Sequence, residues 1–114
     1  EMCIRDRPMC VLINSDIKIG KGKLAGQVSH SVGTFCYRGT YSQDDMDFFI
    51  TNNNIELIYC NQSILEKLEN TDKYITIRDK GLTQLEPNTL TTINLGFIPK
   101  HDAIKLITEM ECLK

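Results

Sequence analysis

The sequence contains no apolar run approaching the roughly 18 residues that cross a bilayer, which excludes a membrane-spanning helix. Its five cysteines, at positions 3, 10, 36, 60 and 112, show neither C-x-x-C spacing nor an even count. A disulfide framework is therefore not expected, and a reducing compartment, the cytoplasm, is. Histidine occurs only at positions 30 and 101, in unrelated segments, and no cluster has metal-ligand spacing. Neither a metal nor a cofactor is expected, and activity should survive a chelator. No serine sits in a G-x-S-x-G elbow and no Cys–His pairing is legible, so a covalent acyl-enzyme is disfavoured. There is also no excess of basic residues. With a net charge of −2, a general grip on nucleic acid is not expected, and any RNA contact must be local. No repeat, low-complexity tract or linker divides the 114 residues, which make one domain with a modest core.

What is present centres on Asp16-Ile17-Lys18-Ile19-Gly20-Lys21-Gly22-Lys23-Leu24-Ala25-Gly26-Gln27-Val28-Ser29-His30. It follows the apolar run Val11-Leu12-Ile13 and then takes up helical spacing, with Leu24, Val28, Val32 and Phe35 in one stripe. This reads as strand, glycine loop and helix. A helix N-terminus carries roughly half a positive charge, so cations there are disfavoured by about 0.3–1 kcal/mol each. Lys18, Lys21 and Lys23 nevertheless crowd this end, where Gly20 and Gly22 leave backbone N–H groups open. An anionic partner such as phosphate would resolve the conflict; a solvated lysine turn is the plainer reading. The Walker pattern is absent, because Leu24 follows Lys23 where Ser or Thr would stand.

Lys23, Gln27, His30 and Thr34 form a second, polar stripe well round the helix from the apolar one. Ala25, Gly26, Ser29 and Gly33 make a third strip, small enough to let another backbone approach, as in a homodimer. His30 taken alone reads as a hydrogen-bonded structural histidine.

The remaining elements follow from spacing. Met9 to Asn14 is a buried strand, and Gly22 to Tyr37 a helix stopped by Gly39. Asp44 to Ile50 is a short helix before a Thr51 to Asn54 turn, and Ile55 to Cys60 a second strand. Asn61 caps a helix that ends at Asn70. Tyr74 to Ile77 is a third strand with Arg78-Asp79 at its carboxyl end, followed by a loop to Asn88. Thr91 to Phe97 alternates as a half-buried strand with Ile93, Leu95 and Phe97 on one face. Asp102 to Leu113 is a helix turning Ala103, Leu106, Ile107, Met110 and Leu113 inward, and Cys10, Cys36 and Cys60 are expected to be buried. The fold class is α/β: a small four-stranded mixed, mostly parallel sheet with helices on both faces and ligand groups at the carboxyl ends of strands. Residues 9–114 form the domain, and residues 1–8 are an extension without periodicity.

The long motif beginning at Asp16 resembles the signature of the peptidyl-tRNA hydrolases of the archaeal and eukaryotic type, a family unrelated to the bacterial type. Asp79-Lys80-Gly81-Leu82-Thr83 is similar to that family's D-A-G-x-T, and the likeness continues through Pro87 to Thr91 and Leu95-Gly96, covering about residues 9 to 112. The resemblance implies hydrolysis of the ester between peptide and tRNA by water, with peptidyl-tRNA as partner. It also implies site residues. The essential lysine falls on Lys23, the glutamine on Gln27, the aspartate on Asp79 and the two threonines on Thr83 and Thr91. Lys18, Gly20, Lys21, Gly22 and His30 would line the tRNA contact, which Arg38 could extend. Asp79 read without the resemblance is a strand-end aspartate capping its own turn. The chain departs from the family pattern at Asn14, Lys80 and Asn88, where arginine, a small residue and glycine are usual. A non-catalytic RNA- or ribosome-binding module is the alternative, and a small-nucleotide binder a third possibility.

Overall fold

The computed structural model describes residues 7–80 and 88–113. Four strands and four helices follow in the order β1 (Met9–Asn14), α1 (Lys21–Arg38), α2 (Gln43–Asn52), β2 (Ile55–Cys60), α3 (Gln62–Asn70), β3 (Ile75–Arg78), β4 (Leu90–Phe97) and α4 (Lys100–Glu111). The sheet order is β2-β1-β4-β3. β1, β2 and β3 run in one direction, and β4 runs against both of its neighbours. The sheet is thus mixed as expected, but β4 pairs antiparallel where alternation alone suggested parallel ladders. Its connection is the reason: only residues 79–89 separate β3 from β4, fewer than the dozen or more that a parallel crossover takes. With β1 and β3 co-directional, their carboxyl ends emerge at one sheet edge, and β4 begins there.

Helices cover both faces. α3 and α4 pack Ile64, Leu65, Leu68 and Ala103 against Cys10, Leu12, Leu90, Ile93 and Leu95. α1 and α2 pack Phe35 and Met46 against Met9 and Val11. Caps set the helix starts: the Ser42 hydroxyl accepts the Asp45 N–H, and the Asn61 side chain accepts the Ile64 N–H. α2 runs through the turn expected at Thr51 to Asn54 and closes only at Asn53, in the left-handed region at φ 51°. α4 starts two residues early, behind Pro99, and ends before Leu113, which is exposed rather than inward.

β4 corrects a second expectation. As a central strand covered on both sides it is buried along almost its whole length, so Thr91, Thr92 and Asn94 lie inside. Two register shifts break its alternation. Ile77 pairs with Thr92 and Arg78 with Leu90, leaving Thr91 as an extra residue. Cys10 pairs with Gly96 and Val11 with Asn94, leaving Leu95 as another. In consequence Leu90 and Ile93, three apart, share a core layer, while Leu95 and Phe97, two apart, lie in opposite layers. Gly96, at φ 80°, supplies the conformation the second bulge needs.

Cys10 and Cys60 are buried, whereas Cys36 is only half-buried and Cys112 is exposed. Burial pushes the Cys10 thiol up to about 11, with Glu56 adding and Lys100 opposing. Burial and then Asp16 push Cys60 to about 11 as well. Since the fold favours the protonated thiols, their stabilisation is complete below the ordinary 9.0 and is lost as pH rises through about 11. At pH 8 a soluble alkylating reagent should label Cys112 in the native protein and reach Cys10 and Cys60 only on unfolding, read by mass spectrometry. Denaturant midpoints should fall between pH 9 and 11, less steeply in Cys60→Ala.

Candidate active site

Three elements meet at the shared sheet edge. β1 ends in Asn14, which is buried and holds the edge together. Its Nδ2 donates to the Leu90 carbonyl at 2.8 Å and to Gln62 Oε1 at 3.3 Å, while its Oδ1 accepts the Asp16 N–H at 2.8 Å. Asp16 Oδ2 in turn accepts the N–H of Gln62 at the start of α3. The position where the family pattern has arginine thus carries an internal clasp here, a role the sequence reading missed.

α1 begins at Lys21 behind Gly20, with no side-chain cap and no acid in its first turn. Its dipole and its lysines therefore need an anion from elsewhere. One comes from the end of β3: Lys23 Nζ lies 2.7 Å from Asp79 Oδ1. The lysine side chain is 21% exposed and the carboxylate 4%, so the pair opens to solvent from the lysine side. The Asp79 backbone is held on both sides, its N–H donating to Thr89 and its carbonyl accepting from Asn88. Asn88 is left-handed at φ 66°, a conformation asparagine tolerates, which explains how it can stand where the family pattern has glycine. Arg78 fixes the same strand end. Its guanidinium grips both oxygens of Glu69 and donates to the Asn88 carbonyl, and the hydrogen bond to Glu69 raises its pKa further.

The first bulge of β4 aims Thr91 at α1. Its hydroxyl lies 2.8 Å from Gln27 Oε1 and 3.0 Å from the Ile77 carbonyl, and shares its one proton between them. Lys23, Gln27, His30, Arg78, Asp79 and Lys80 line a cleft of about 160 Å³. Sequence-predicted Lys23, Gln27, His30, Asp79 and Thr91 are therefore drawn together. Lys18, Gly20, Lys21 and Gly22 lie exposed where the chain enters α1 and are not among the lining residues described. Thr83 lies outside the described residues. His30 is exposed at the cleft. Ala25, Gly26, Ser29 and Gly33 also face outward.

A larger concavity of about 700 Å³ beside α2 is lined by Asp44, Asp45 and Asp47 against Arg7. Its charge is wrong for a polyanion, and it shares no lining residue with the cleft at Lys23 and Asp79. Among the described residues no group of three or more His, Cys, Asp or Glu could hold a metal ion, and no helix is long and apolar enough to cross a membrane.

The family model described as "Peptidyl-tRNA hydrolase PTH2" matches residues 8–113. The chain is similar to proteins named peptidyl-tRNA hydrolase in three archaea. It is 30% identical to that of Saccharolobus solfataricus over 115 residues, covering 82% of this chain and 88% of that protein. For Metallosphaera sedula the identity is 31% over 110 residues, covering 88% and 93%. For Saccharolobus islandicus it is 30% over 105 residues, covering 82% and 88%. With one fold-wide match and relatives spanning nearly its whole length, the chain belongs to the peptidyl-tRNA hydrolase PTH2 family.

Proposed function

We propose that this protein hydrolyses the ester joining a peptide to the terminal ribose of tRNA, returning tRNA from peptidyl-tRNA that ribosomes release early. The observation that carries this reading is the 2.7 Å pairing of Lys23 with Asp79 at the mouth of a small cleft. Water is the nucleophile. Asp79 orients it and takes its proton as it adds to the acyl carbon, and the ester C–O bond breaks with that proton passing to the ribose oxygen. Lys23 pairs with the Asp79 carboxylate and stabilises the charge developing on the carbonyl oxygen. Thr91, buried behind the cleft, holds Gln27 in place through its hydroxyl, and Thr83 hydrogen-bonds the water or the ribose. Lys18 and Lys21, exposed at the start of α1, hold tRNA phosphate, and His30 borders the bound ribose. The cytoplasm is the compartment this substrate implies, and a second copy docking on the small-residue strip of α1 is the oligomer it suggests.

The family match and the named relatives favour the hydrolase over a non-catalytic binding module. Incubation with an N-blocked aminoacyl-tRNA separates the two. Free tRNA should be released by the wild type and not by Lys23→Ala; binding without turnover would overturn the hydrolase.

A further inference from the structure

The catalytic cleft does not end at His30. A second concavity of about 520 Å³ shares His30 and Arg78 with it and continues between α1 and the edge strand β3, past Thr34, Thr76, Tyr37 and Arg38. The two form one trough along α1. From Lys23 to Tyr37 the helix runs fourteen residues, about 21 Å at 1.5 Å per residue. Its far end carries Tyr37, 88% exposed, the most exposed of the large apolar side chains described.

The charge along the trough is one-sided. Lys23 is matched by Asp79 and Arg78 by Glu69. Lys80 and Arg38 have no ion-pair partner among the described residues, and Asp79 is the one carboxylate among the lining residues described. In a chain of net charge −2 this is a local excess of cation next to an exposed aromatic face. A peptide of arbitrary sequence has no need of such a surface. A single strand of nucleotides matches it, with phosphates for the cations and a base for the ring.

Resting on the hydrolase reading, we propose that this trough seats the single-stranded 3′ nucleotides of the tRNA, with the ester-bearing ribose at Lys23 and Asp79, and a preceding base stacked on Tyr37. Arg38 takes a phosphate beside it. The peptide then leaves the cleft in another direction. Tyr37 is a specificity-determining residue for the nucleotide side of the substrate.

The test compares kcat/KM on an N-acetyl-aminoacyl-tRNA with that on the corresponding N-acetyl-aminoacyl ester of adenosine, which lacks the preceding nucleotides. In Tyr37→Ala the ratio of the two should fall about tenfold through KM, and Tyr37→Phe, which keeps the ring, should restore it. Arg38→Ala should flatten the salt dependence of KM on the tRNA substrate. An unchanged ratio in Tyr37→Ala overturns the proposal, as does a variant whose defect follows peptide length instead of nucleotides. If the wild type hydrolyses neither ester, the hydrolase reading fails by itself. The trough is then judged by fluorescence anisotropy with a single-stranded RNA of about four nucleotides: weaker binding by Tyr37→Ala sustains it, and equal binding ends it.

Discussion

Asp79→Asn should reduce kcat/KM on an N-blocked aminoacyl-tRNA by about 10²–10⁴, the range expected when a positioned general base is removed. The side chain keeps its size but can no longer take a proton from water. Lys23→Gln should lose about 10²–10³, the usual loss for one donor to a developing oxyanion. The two residues act as a unit across 2.7 Å, so the double variant should be about as inactive as Asp79→Asn alone. Fully additive losses in the four-way comparison would mean that the residues work independently and would remove the reason for treating the pair as the centre of the site. Urea unfolding of each variant controls for stability. Lys23 reaches solvent and can turn outward when its partner is neutral, so Asp79→Asn should remain folded.

Asn14→Ala should be the most damaging change outside the paired ions, costing about 2–4 kcal/mol in urea unfolding. The side chain is 1% exposed and its three hydrogen bonds tie together the end of β1, the entry to α1, the start of α3 and the start of β4. Alanine leaves the Leu90 carbonyl and the Asp16 N–H without that partner and opens a small void. Because Leu90 adjoins Thr91, and Asp16 begins the segment leading to Lys23, activity should fall beyond what the loss of folded protein explains. A variant that unfolds at the wild-type urea midpoint would show that the clasp is not what holds the edge. Asn14→Asp is the informative companion, since it keeps the acceptor for Asp16 but loses the donor to Leu90.

Each of these residues was visible in the sequence to a different degree. Lys23, Gln27 and His30 could be placed on one face of one helix from spacing alone, because helical periodicity is a local property. Continuing that stripe by three and four residues past Thr34 reaches Tyr37 and Arg38; the reading offered Arg38 to the tRNA and stopped short of Tyr37. Asp79 could be set at the end of a strand, but its partner could not be derived from spacing, since that depends on β1 and β3 running the same way with β4 between them. The resemblance to a known family named both residues as site residues, and the alternation of strands and helices suggested that their segments close at one sheet edge; the 2.7 Å contact is geometry. Asn14 gave no signal beyond its departure from the family pattern, because its three partners are 2, 48 and 76 residues away. The clasp of Arg78 on Glu69 was equally silent, because the two stand on different elements, β3 and α3, whose packing no local spacing reports.

The sequence by itself determined what neighbouring residues can decide: eight elements, the Asn61 cap and the Gly39 stop, helices for both faces of the sheet, and a run of lysines at a helix end that calls for an anion. Tertiary structure decided the direction of β4, the two bulges that turn Thr91 toward Gln27 and send Phe97 to the opposite layer from Leu95, and the use of Asp79 as the answering charge. The division has a physical cause. Periodicity and capping are settled within a turn or two of chain, whereas register and charge pairing are settled by which backbones lie side by side, from Arg78 against Leu90 to Met9 against Phe97, far beyond the reach of either local signal.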